Sequence, residues 1–395
     1  MNSSGTPLYV KCDTQHRIHR AGWIVADSSN IIENGYIETA DGIIQAVCQG
    51  NPGKNDIVID YGPGAIMPAL VNAHVHLELS ALKGQVAFDM GFRSWVRSLI
   101  EKRQAIGKDR LVDMACRAAD DMVAKGNLFC ADISTLGISR ALAACSDLQG
   151  IFFHEFLGHE TGYEYCVNRN DSVSFSLAGH GPHTTSPQLL CELKKKSRSA
   201  CLPFSIHVAE SEDESEFIQT RAGQWAQFLT ERGIDWSCWN IGSKTPVEYI
   251  YDLGLLDPLT LAVHALNTND RDLDILAESG TRVCVCPRSN KNLHGKMPDI
   301  FKMVEKGISP ALGTDSLASC DSLDIFDEMA FVTRYWPELD PETIFSMATV
   351  NGARAIGMEN SIGTLCQGAA STFIYKPLTA GNESQVMEKI VSNES

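Results

Sequence analysis

The chain has 395 residues, 44% of them apolar and 21% charged, a balance that supplies a large core and excludes intrinsic disorder and collagen-like repeats. Its formal charge of −16 repels phosphate backbones and anionic lipid, so neither nucleic acid nor a membrane surface is expected as a partner. The opening MNSSGTPLYVKCDTQHRIHR lacks the apolar run of a signal peptide, and nowhere do about 18 apolar residues follow one another, so a soluble cytoplasmic protein is expected.

Residues 1–66 read as short strands, among them GWIVADSSNIIENG and YIETADGIIQAVCQG, with NG and DG turns between β-branched runs. From Met67 to Met358, apolar runs of strand length alternate with helical stretches such as WAQFLTERG and DLDILAESG. The runs are AIMPALVNAHVH, NLFCADIS, GIFFHEF, VSFSLAGH, PFSIHVAE, TLAVHA, TRVCVCP and ISPALGTD. Near-continuous apolar strands separated by helices predict a parallel α/β sheet, and eight such units predict a (β/α)8 TIM-like barrel. Residues 359–395, with SIGTLCQGAASTFIYKP, return to the β-rich pattern. The expected organisation is therefore a small β-sandwich domain built from 1–66 and 359–395 around a 67–358 catalytic barrel. The 13 cysteines are scattered; Cys284 and Cys286 lie close but lack CxxC spacing, so the set is read as reduced and buried.

The eight runs end in His76, Ser134, Glu155, His180, Glu210, His264, Pro287 and Asp315. In barrels of this kind the C-terminal strand ends carry the active site, so these residues are expected at one mouth. The strongest local signal is His74-Val75-His76: residues two apart in a strand face one side, and both imidazoles can reach one ion at about 2.0–2.1 Å. An isolated His-x-His is more simply a packed histidine beside a loop histidine. His207, His264 and Asp315 at other strand ends shift the balance towards a metal site. VSFSLAGHGP has no lysine or carboxylate that could bridge two ions, so one divalent ion is expected; imidazole and carboxylate donors suit zinc or ferrous iron. Glu210, three residues after His207, is placed to carry a proton, whereas Glu212, Asp213, Glu214 and Glu216 of the same acidic run are read as solvated. His76-Leu77-Glu78 matches the HxE of cytidine-type zinc deaminases, but their PCxxC is absent, so that fold is rejected.

Taken together, MPALVNAHVHLELS, GPHTTSP, HVAESEDE, AVHALNTND, CPRSNKNL, ALGTDSLASCDSLDIFDEM and MATVNGARAIG resemble the amidohydrolase superfamily, in its mononuclear deaminase branch. The resemblance implies His74, His76, His207 and Asp315 as metal ligands, Glu210 as proton shuttle, and His264 with Asp315 as the pair that orients and deprotonates the attacking water. It further implies that His183 meets the substrate, with Glu78, Arg103 and Glu155 as weaker candidates and Ser289 and Asn290 shaping the loop after the seventh strand. His154 and His159 depart from the pattern. Within the branch, HLELS, PHTTSP, HVAES and GTDSLAS look most like aminodeoxyfutalosine deaminases of menaquinone biosynthesis and 5'-methylthioadenosine/S-adenosylhomocysteine deaminases. The implied reaction hydrolyses the 6-amino group of an adenine nucleoside, a small-molecule substrate; a homodimer is compatible with it. Adenosine, guanine or cytosine deaminases, chlorohydrolases, and a non-catalytic binding protein on the same scaffold are the alternatives.

Overall fold

The structure, a computed structural model, describes residues 7–11, 14–53, 57–89, 91–161, 166–170, 172–237 and 239–394. Eight strands form one parallel sheet in sequence order: β1 (Leu70–Val75), β2 (Asn127–Ser134), β3 (Gln149–Phe156), β4 (Val173–Gly179), β5 (Phe204–Val208), β6 (Thr260–His264), β7 (Arg282–Val285) and β8 (Ala311–Leu312). The expected barrel is observed. β8 keeps only two residues, and the ring closes through a single bridge between Val75 and Asp315, supported by the His76 amide donating to the Asp315 carbonyl at 3.1 Å. No helix among the described residues is long and apolar enough to cross a membrane.

Two further sheets lie outside the barrel. The first orders Leu8–Lys11, Thr372–Lys376, Ala65–Pro68, Trp23–Asp27 and Asn30–Glu33; the second orders Ile43–Gln49, Gly35–Ala40, Arg17–Arg20 and Val58–Asp60. Between them Ile24, Ile37, Ile44, Ile66 and Phe373 form a separate small core, so both ends of the chain meet in a sandwich. The closing helix Glu383–Val391 instead lays Val386, Met387 and Ile390 into the core shared with the barrel.

Two expectations need correction. AIMPALVNAHVH is two strands: Ala65–Pro68 pairs in the sandwich and Leu70–Val75 in the barrel. Pro68 has no amide hydrogen with which to continue a ladder, and burial of both halves disguises the break as one apolar run. The cysteines are not all reduced and buried. Cys116, on the helix Lys108–Ala124, is joined to Cys145, at the end of the helix Ser139–Cys145, while Cys166, Cys191, Cys201 and Cys366 are exposed. The 29-residue separation carries no spacing signal, because packing of two helices, not local sequence, brings these sulfurs together. Cys12 and Cys238 lie outside the described residues.

The exit from β1 is anchored from β2. The Leu77 amide donates to Asp132 Oδ1 at 3.0 Å, and burial raises the Asp132 carboxyl to about 8 although that hydrogen bond opposes the rise. A carboxyl raised in the folded state stabilises the fold fully below its unfolded value, and the contribution is lost as pH climbs through the folded value. Stability should therefore decline between about pH 4 and about pH 8, and Asp132→Asn, which cannot ionise, should flatten that decline. Melting curves across this interval test it; parallel curves for the two proteins would reject Asp132 as the source.

Candidate active site

Strand alternation sets the floor of the site. Val75 points into a side core with Leu77, Cys130 and Phe152, which turns His74 and His76 to the opposite, inner side. His207, next to last in β5, donates its Nδ1 hydrogen to the His180 carbonyl at 2.7 Å, leaving Nε2 with a lone pair directed inward. That Nε2 lies 3.3 Å from Nε2 of His74 and 3.3 Å from Nε2 of His76. Burial lowers the basicity of all three rings, reinforced for His74 by its imidazole neighbours and for His207 first by His180, and opposed for His76 by Asp315. His180 is pushed down to about 3, first by burial and then by His183.

Asp315 closes the set from beyond β8. Its Oδ2 accepts from Ser289 Oγ at 2.5 Å and Ser319 Oγ at 2.9 Å, which leaves Oδ1 facing His76 Nε2 at 3.8 Å. Donors 2.0–2.1 Å from a tetrahedral ion lie about 3.3–3.4 Å apart, so the imidazole spacing is that of a ligand set, and the ligating atoms of His74, His76 and His207 lie within 4.8 Å of one another. Neutral imidazoles and a carboxylate with one oxygen free fit a divalent cation of borderline softness. The backbone is strained at this mouth: Ala209, His264, Ala265 and Asp315 have φ of +54°, +74°, +46° and +62°.

Glu210 stands two residues past β5. Its amide donates to Glu214 Oε2 at 2.7 Å, the Ala209 amide donates to Glu214 Oε1 at 2.9 Å, and the Glu210 carbonyl accepts from Asn267 Nδ2 at 3.0 Å. Glu210 Oε1 lies 3.7 Å from His264 Nε2 and 3.5 Å from His294 Nε2. Burial alone would raise this carboxyl; His264, His294 and His207 outweigh it and hold it well below its ordinary range. On its far side His264 accepts at Nδ1 from Asn290 Nδ2 at 3.0 Å, which leaves the Nε2 hydrogen towards Glu210.

These groups open into a cavity of about 400 Å³, a normal size for a small-molecule site. Trp95, Leu99, Trp225 and Phe228 give it an apolar wall. His183 is buried against Trp225 with neither ring nitrogen hydrogen-bonded, and its Nδ1 lies 3.6 Å from Glu214 Oε1. Glu78 faces the cavity but accepts from Ser134 Oγ at 2.6 Å, Thr135 Oγ1 at 2.7 Å and the Leu136 amide at 3.0 Å, with Arg103 Nη1 at 3.3 Å. Arg103 is thus an inward residue of the helix Phe92–Ala105 that also donates to Thr135 Oγ1 at 2.8 Å. Glu155, its carboxyl pushed up first by burial and then by Glu78, lies 3.4 Å from His207 Nδ1, and its Oε1 has no hydrogen bond.

His154 is half-buried against Phe156 and His159 is exposed; neither joins the cluster. One reading of the acidic run is corrected: Glu214 is not solvated but fully buried, holding two amides of the turn that carries Glu210. Ser211 caps the helix Glu212–Thr220, so Glu214 falls three and four residues before Phe217 and Ile218 on the inward face; that periodicity was the available signal. Ser289 and Ser319 as supports of Asp315, and His294 beside Glu210, have no strand-end signal at all.

A barrel whose mouth gathers three neutral imidazoles, a carboxylate and a shielded glutamate defines a metal-dependent hydrolase class. Residues 65–387 match the amidohydrolase family, and the chain belongs to that family, hydrolases acting on carbon–nitrogen bonds. It is 29% identical to a 5-methylthioadenosine/S-adenosylhomocysteine deaminase of Nitratidesulfovibrio vulgaris (strain DP4), over 94% of this chain and 85% of that one. The fold superposes on the aminofutalosine deaminase of Helicobacter pylori, solved with methylthio-coformycin, with TM-score 0.84 at 19% identity over 96% and 97% of the two chains. It also matches an adenosine deaminase from Xanthomonas campestris with bound zinc, TM-score 0.78 at 20% identity over 95% and 88%.

Proposed function

We propose that this protein is a metal-dependent deaminase that hydrolyses the 6-amino group of an adenine nucleoside and releases ammonia. The observation that carries the reading is the convergence of His74, His76, His207 and Asp315 beneath a cavity into which Glu210 and His264 also project. His74, His76, His207 and Asp315 would hold one divalent ion, zinc or alternatively iron. When bound, such an ion supplies Lewis acidity at the point of attack.

The protein groups do the proton work. His264, its Nε2 hydrogen exchanging with Glu210, and Asp315 orient the attacking water and take its proton. Glu210 delivers a proton to purine N1, which weakens the ring at C6, and a second proton reaches the departing amino nitrogen. Both hydrogens of water are thereby accounted for, one on N1 of the 6-oxo product and one on ammonia. His183, which lines the cavity with neither ring nitrogen hydrogen-bonded, would meet the purine. Glu155 would meet a ribose hydroxyl and Arg103 would line the pocket, with Glu78, which accepts from four donors, as a buttress for Arg103.

Among nucleosides we favour aminodeoxyfutalosine, which would place the enzyme in menaquinone biosynthesis; 5'-methylthioadenosine, S-adenosylhomocysteine and adenosine are the alternatives. The chain's negative charge disfavours a polyphosphorylated substrate. Ammonia release from these four nucleosides, guanine and cytosine tests the reading. The expected result is turnover of a nucleoside carrying a 6-aminopurine; preference for a free base would overturn it, and chloride release from a chlorotriazine without ammonia would point to a chlorohydrolase.

A further inference from the structure

Glu210 is gripped from a side that the strand-end pattern does not account for. The helix Pro287–His294 starts directly after β7 and serves three groups of the site in turn: Ser289 donates to Asp315, Asn290 donates to His264, and His294 brings Nε2 to 3.5 Å from Glu210 Oε1. Asn290 and His294 are four residues apart and share a helix face, so one rigid element sets both imidazoles that bracket this oxygen. Gly295, with φ of +62°, ends the helix at that point by returning its amide to the Lys291 carbonyl at 3.0 Å.

The His294 ring is held in place. Its side chain is 9% exposed, it packs at 4.7 Å between centroids against Phe92, and its Nε2 makes no hydrogen bond but approaches the Glu210 carboxylate to 3.5 Å. Its other surroundings form a second cavity of about 340 Å³ lined by Phe92, Arg93, Glu212, Asp213 and Lys296.

We propose that His294 is a positioning residue for the acid–base carboxylate: with His264 it holds Glu210 Oε1 and leaves Oε2 to meet the ring nitrogen of the substrate. The proposal rests on reading Glu210 as the proton carrier. Tightening of the 3.5 Å approach into a hydrogen bond on the charged carboxylate in the substrate complex is worth enough that His294→Ala should lower kcat by roughly tenfold to a hundredfold while KM stays within about twofold. Metal content should be unchanged, since His294 touches none of the proposed ligands. His294→Gln, whose amide can still donate to Oε1, should recover most of the rate and controls for misfolding. In a crystal structure of the zinc-loaded His294→Ala protein, the Glu210 carboxylate should leave the place it holds in the parent. An alanine variant with parental kcat, a loss confined to KM, or a Glu210 side chain superposing on the parent would each overturn the proposal. If the parent releases ammonia from no adenine nucleoside, the deaminase reading fails, and the crystallographic comparison still decides the role of His294.

Discussion

Glu210→Gln is expected to retain its metal and lose turnover by about 10²–10⁴-fold, the usual contribution of a positioned acid–base group. Glutamine has nearly the same volume and keeps an oxygen and an amide at the carboxylate position, so the packing around it is conserved. The turn that carries it is held by the backbone through Glu214 and Asn267, not by the residue's own side chain, and should persist. What disappears is the ability to bind and release a proton, together with the negative charge that faces His264 and His294. Steady-state ammonia release measures the first effect and elemental analysis checks that metal stays. Near-parental turnover would remove Glu210 from the proton path.

His207→Ala is expected to abolish both metal content and activity. His207 is the member of the cluster within 3.3 Å of two others, and its tautomer is fixed by the His180 carbonyl, so no neighbouring group can stand in for its Nε2. Losing one of four donors typically removes most of the affinity, because the remaining ligands must then hold the ion with poorer geometry. A second outcome follows from electrostatics. Burial is the main cost of each of these three rings, so deleting one imidazole removes a buried polar group even as it opens space. Metal-stripped parent and variant should therefore melt close together, and only the parent should gain in melting temperature on adding zinc. Metal content equal to the parent's would refute the ligand assignment.

Much of this mouth is legible in the sequence because a parallel barrel turns one-dimensional pattern into position. An apolar run says where a strand lies, and the first polar residue at its end, His76, His264 or Asp315, says what the mouth contains. The legibility fails where the helical period matters instead. Glu214 sits in an acidic stretch that looks solvated, yet the helix turns it inward with Phe217 and Ile218; His294 belongs to a helix whose start is marked by Pro287 but whose inner face is set only by tertiary packing. Ser319 leaves no trace and Ser289, expected only to shape a loop, instead sits on a helix and supports Asp315, since a serine has the same local signature whether it meets a buried carboxylate or water. The Cys116 to Cys145 link is hidden for the related reason that it joins two helices docked side by side.

The two-residue eighth strand has a consequence for how the molecule comes apart. The seam between first and last strands is held by one bridge, by the Thr314 and Asp315 amides on the His74 carbonyl at 3.0 and 3.1 Å, and by the return bond from the His76 amide. Elsewhere around the ring the ladder is longer, as in the seven paired residues of β3 and β4. An ion shared by His74, His76 and Asp315 spans this same seam, so it would act as a clasp on the thinnest part of the wall. Occupancy then governs the order in which the barrel unzips: amide exchange at Thr314 and Asp315 should slow on zinc binding far more than exchange in β3 and β4, which no ligand of the cluster bridges.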